Sequence, residues 1–67
     1  MITKEYANTR NGGKERISRN GNMYFINSYV PKTGWIGERK ISRADAIRCM
    51  AYTNAPADVV AEIIGDD

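Results

Sequence analysis

Polar and apolar residues alternate in short runs from about position 14 to position 41, then recur at helical spacing to position 64. Before position 14 neither period is sustained. The stretch MITKEYANTRNGG reads as a flexible polar and basic arm over residues 1–13, with Ile2 and Tyr6 able to anchor a short strand or one helical turn. Asn20-Gly21 is the strongest turn signal in the chain, because a type I′ hairpin needs positive φ at both central residues and this pair tolerates it. KERISR and the β-rich NMYFINSYV flank it. A two-residue turn at Asn20-Gly21 predicts Arg19 opposite Asn22, Ile17 opposite Tyr24 and Arg16 opposite Phe25. The period of two then puts Ile17, Tyr24, Ile26, Ser28 and Val30 on one face, with Lys14, Arg16, Ser18, Met23, Phe25, Asn27 and Tyr29 on the other. The first set is the expected core face, because the second carries two cations.

Pro31-Lys32-Thr33-Gly34 is a turn signal, and WIGERKI after it reads as a third antiparallel strand. Two registers are open for that strand. With Ile36 inward, Trp35, Gly37 and Arg39 point out beside Phe25 and Tyr29; with Trp35 inward the assignment inverts and Arg39 meets the core. The first is preferred for that reason. Ser42-Arg43-Ala44-Asp45 resembles a capping box opening a helix over 42–53, with Ala46, Ile47, Met50 and Ala51 as its apolar stripe and Ile41 placed to staple onto Ala46. Asn54-Ala55-Pro56 ends it. Pro56 opens a second helix over 56–64, stopped by Gly65, with Val59, Val60, Ile63 and Ile64 on one side. A helix this short does not persist alone in water, so it must dock on the domain or on a partner. The expected fold is α+β: one domain over 14–67, with a three-stranded antiparallel sheet over 14–41 followed by two helices.

Composition narrows the chemistry. Sixty-seven residues hold one small domain. A single cysteine, Cys49, excludes an internal disulfide, and the absence of histidine removes the usual zinc ligands and the commonest general base. Cys49 lies on the first helix with nothing to activate it and reads as a structural cysteine. Gly12-Gly13 before Lys14 lacks the spacing of a phosphate loop. No cofactor, metal site or enzymatic activity is expected. No apolar run is long enough to span a membrane and no signal-peptide core opens the chain, which points to a cytoplasmic protein with no membrane partner.

The net charge of +2 hides an asymmetry. All ten Lys and Arg residues lie in positions 1–48 against four carboxylates, so that part carries +6, and positions 49–67 carry −4. A basic part suits an anionic partner. The outward side chains Lys14, Arg16, Phe25, Asn27 and Tyr29, joined by Lys32, Trp35 and Arg39, are the candidate binding residues. Cations contact phosphates, Arg and Asn read base edges, and rings pack on bases. Lys4, Arg10, Arg19 and Lys32 would add phosphate contacts from the edges and the arm. Three readings compete: a nucleic-acid face, a protein-binding face, and a sheet covered on both sides in which Phe25 and Tyr29 are core. Val59, Val60, Ile63 and Ile64 are also available for a homodimer contact.

Positions 20–47, with Asn20-Gly21, Tyr24, Pro31-Lys32-Thr33-Gly34, Trp35-Ile36-Gly37 and the helix opening from Ala44 to Ile47, resemble two families in element order. One is the arm-type DNA-binding domain of lambda-type phage integrases; the other is the plant ethylene-response-factor DNA-binding domain. The resemblance implies a three-stranded sheet backed by one helix, its open face in the major groove, with Trp35 toward DNA and Ile36 toward the core. By type rather than motif, the chain is also similar to small phage-encoded inhibitors, including anti-CRISPR proteins, that bind and block a host protein or nucleoprotein complex. In that case Phe25, Tyr29, Trp35 and Arg39 would be interface anchors.

Overall fold

Strands β2 (Gly13–Asn20) and β3 (Met23–Val30) form the central hairpin of the computed structural model, which describes residues 1–65. The turn sits one residue later than Asn20-Gly21 predicts. Asn20 pairs with Met23, so Gly21 and Asn22 are the central residues, and only Gly21 has positive φ, at +64°. Glycine first with a negative-φ residue second is the type II′ pattern, the other hairpin turn compatible with strand twist. The shift moves each residue's partner along by two, so Ile17 faces Ile26 and Arg19 faces Tyr24. A shift of two preserves the faces, and Ile17, Tyr24 and Ile26 are buried as expected.

Residues 2–8 form a strand, which corrects the expected flexible arm. Strand β1 (Ile2–Asn8) runs antiparallel to β2 from Ile2↔Arg19 to Asn8↔Gly13. Its inward side chains Tyr6 and Asn8 are buried. The Tyr6 hydroxyl meets Thr53 Oγ1 at 2.7 Å, and Asn8 Nδ2 donates to Glu15 at 2.8 Å. Thr53 lies 47 positions from Tyr6, and no local periodicity announces that contact. Gly12, at φ +78°, closes the connecting loop by donating to the Asn8 carbonyl.

The expected third strand is divided. Strand β4 (Gly34–Trp35) pairs with β3 through Tyr29↔Trp35, and β5 (Arg39–Ile41) pairs with the same strand through Ile26↔Arg39 and Tyr24↔Ile41. Between these pairings Ile36, Gly37 and Glu38 oppose only Asn27 and Ser28, so the strand carries one extra residue, a bulge. The bulge reverses the alternation. Trp35 points outward as preferred, but Ile36, expected toward the core, is 42 % exposed, Arg39 lies opposite Ile26 on the core-face side, and Lys40, opposite Phe25, takes the outward position. Arg39 stays exposed there, at the sheet edge.

Helix α1 (Arg43–Tyr52) starts at Ser42, whose hydroxyl accepts from the Asp45 amide at 3.0 Å. It ends in a Schellman arrangement: Asn54 sits at φ +63°, and the amides of Asn54 and Ala55 donate to the Ala51 and Met50 carbonyls. Pro56 is the N-cap of α2 (Ala57–Ile64), and Gly65, at φ +80°, terminates it. Both helices pack on one face of the sheet. The core joins Tyr6, Ile17 and Tyr24 to Ala46, Met50, Val59, Ile63 and Ile64, with Ile41, Ala55 and Val60 against it. Two expectations are corrected. Ile47 and Ala51 are exposed, because α1 turns only its Ala46–Met50 line to the sheet. The side chains considered for a homodimer are consumed by the core: Ile63 is fully buried, Val59 and Ile64 nearly so.

Candidate binding face of the sheet

Because both helices take one side, the outward side chains of β1 to β5 are covered by no other element among the described residues. Register arranges them in rows across the strands. Thr3, Ser18, Phe25 and Lys40 form one row, Glu5, Arg16 and Asn27 the next, and Ala7, Lys14, Tyr29 and Trp35 the third. Phe25, Asn27 and Tyr29 are half-buried by their neighbours in the sheet, and Trp35 is 40 % exposed. The covered-sheet reading of Phe25 and Tyr29 therefore does not apply.

The third row is the most organised. The Tyr29 and Trp35 rings meet edge to face at 5.4 Å between centroids. The Arg16 guanidinium lies 4.2 Å from the Trp35 ring centre and donates to Glu5 Oε1 at 3.0 Å. Arg16 is thereby held flat by a carboxylate on one strand and an indole on another. Lys14 Nζ sits 5.9 Å from the Tyr29 ring centre. Thr3 and Ser18 hydroxyls bond at 3.0 Å at the opposite end of the face.

Of the eight expected site residues, six gather here: Lys14, Arg16, Phe25, Asn27, Tyr29 and Trp35. Arg39 is removed to the other side by the bulge. Lys32 is exposed at one end of the sheet, third in the turn that Thr33 closes onto Val30, with φ +77°. Two charged residues that belong to the face went unanticipated, Glu5 and Lys40. Glu5 depended on β1 existing, and Lys40 on the bulge.

Two of the arginines expected to meet phosphates are committed elsewhere. Arg19 donates through Nη1 to the carbonyls of Ile63 and Ile64 at 3.1 Å each, capping the negative end of α2. Arg10 donates to the Tyr52 carbonyl at 2.7 Å and lies 4.1 Å from the Tyr52 ring centre, doing the same for α1. Lys4 points to the helix side of β1, opposite Ile17. Arg48 pairs with Asp45 within α1, which holds the Asp45 carboxyl below its ordinary range.

The buried polar groups inside the domain are structural. Glu15, 3 % exposed, accepts from Asn8 Nδ2 at 2.8 Å and from the Ser28 hydroxyl at 2.6 Å. Burial, with Glu15 nearby, raises the pKa of the half-buried Cys49 thiol, the reverse of what activates a nucleophile. Among the described residues no cluster of three or more potential metal ligands forms, no concave pocket is present, and no helix is long and apolar enough to cross a membrane. No family model, curated protein or solved structure matches this chain.

Proposed function

We propose that this protein is a non-enzymatic, cytoplasmic module of phage or mobile-element type that binds nucleic acid through the open face of its sheet. One observation carries the reading: the face left uncovered by the helices gathers Lys14, Arg16 and Lys40 with Phe25, Tyr29 and Trp35. Cations next to rings supply the two things a nucleic acid offers every partner, phosphates to neutralise and π-faces to stack on. The test is binding of oligonucleotides across a salt series. Affinity should fall linearly on a log–log plot, with a slope of about −0.9 per duplex phosphate contacted or −0.7 per single-strand phosphate. Undetectable binding to both forms at about 50 mM salt would remove the reading.

A second reading, a phage-type inhibitor docking the same face onto a host protein, is favoured by the Glu5–Arg16–Trp35 contact. Arg and Trp are the residues that most often anchor protein interfaces, and a neutralised arginine suits a polar protein surface. It predicts saturable binding to a protein target with little salt dependence.

A further inference from the structure

Resting on the nucleic-acid reading, we infer that the ligand is a single strand running along β3, bound over three nucleotides, rather than a duplex seated in its groove. The face is too wide to seat in a groove. The face spans four strands from β1 to β4 and β5, and three gaps of about 4.8 Å make it about 14 Å wide before side chains are added. The B-form major groove is about 12 Å wide and admits a helix or a two-stranded ribbon. The outer strand on one side carries Glu5, whose carboxylate would then face the phosphate wall.

Its outward residues are also spaced for unstacked bases. Outward residues on β3 recur every two positions, about 6.8 Å apart. That is twice the 3.4 Å rise of a stacked strand, so bases meeting successive outward residues must be unstacked, as only a single strand readily allows. Phe25, Asn27 and Tyr29 occupy three such steps, and each has a cation directly opposite on a neighbouring strand: Lys40, Arg16 and Lys14. Every step thus pairs a group that can stack on or read a base with one that can hold its phosphate. At the Tyr29 step Trp35 extends the ring surface. The occupant that this repeat fits is a flexible polyanion with one planar group per charge.

The experiment uses the full chain and fluorescein-labelled oligonucleotides of about 12 nucleotides, single-stranded or annealed. Anisotropy should show the single strand bound at least about tenfold tighter than the duplex, with a log–log salt slope near −2 from three phosphates. Trp35 is the sole tryptophan, so its fluorescence reports stacking directly and should change on adding the single strand. Lys40→Gln, on an exposed side chain, should reduce the slope by about 0.7. Tyr29→Ala should weaken the single strand about fivefold or more, a larger effect than the modest drop in melting temperature expected from losing its edge contact with Trp35. Duplex binding equal to or tighter than single-strand binding would overturn the inference while leaving the nucleic-acid reading in place. No binding of either form would overturn both.

Discussion

Tyr6 is where β1 is fastened to the helices, and its hydroxyl makes that attachment measurable. The residue is 5 % exposed, and its pKa is pushed up to about 12. Burial is the main cause; the Thr53 hydrogen bond opposes it, and the thiol of Cys49 and carboxylate of Glu15 add to it. Thr53 Oγ1 also lies 2.7 Å from the Cys49 carbonyl, so one hydroxyl ties β1 to the end of α1. A free tyrosine titrates near 10, so between pH 10 and 12 the unfolded chain has released this proton and the folded chain still holds it. The unfolded state then binds fewer protons, and stability falls as pH rises across that window. Two units at 1.36 kcal/mol each give a loss of about 2–3 kcal/mol, complete above the folded-state pKa. A domain of this size has only about 3–5 kcal/mol in total, so the loss is large.

Tyr6→Phe should separate the two roles of the hydroxyl. Near neutral pH it should cost about 1 kcal/mol, the worth of one hydrogen bond, since no volume is lost. From about pH 10 upward its stability should change less than that of the parent, and the two curves should approach or cross. Urea titrations followed by far-ultraviolet circular dichroism, at steps from about pH 9 to 12, measure both. Every other titratable group is common to the two proteins, so the difference isolates Tyr6. Parallel curves across the whole window would refute the argument, and with it the placement of this hydroxyl in the core.

Gly13→Ala should destabilise strongly, by about 3 kcal/mol or more, because its added methyl would overlap the Tyr29 carbonyl oxygen and force β2 and β3 apart; thermal melting measures it. Arg19→Met should cost about 1–2 kcal/mol by uncapping α2, and hydrogen exchange should show the last turn of that helix opening first. Lys32→Gly should be neutral or stabilise by up to about 1 kcal/mol, because a side chain at φ +77° is relieved; a lower urea midpoint would contradict that.

Most of the fold could be read where local chemistry decides it. Ser42 caps α1, Gly65 ends α2, and Ile17, Tyr24 and Ile26 share the buried face because a period of two leaves them no other choice. What escaped was decided at a distance. Strand β1 depends on Thr53, 47 positions from Tyr6, and on the helix side of the core. The II′ turn displaced the pairing without altering either face, because Gly21 serves as well in first position as in second. The bulge at 36–38 is the costliest omission for the site. One extra residue exchanged Arg39 for Lys40, and in WIGERKI nothing but Gly37 hints at it.

The charge asymmetry also changes meaning once the arginines are placed. Residues 1–48 carry +6, which by itself suggests an electrostatic binder. Yet Arg10 and Arg19 bind helix-end carbonyls, Arg48 pairs with Asp45, and Arg39 and Lys4 lie toward the helix side. The open face retains Lys14, Arg16 and Lys40 against Glu5, a net of +2. Three phosphate contacts give a shallow salt dependence, so most of any useful affinity must come from Phe25, Tyr29 and Trp35. Substituting a ring on this face should therefore weaken binding more than substituting a lysine, the reverse of what the sequence charge alone implies.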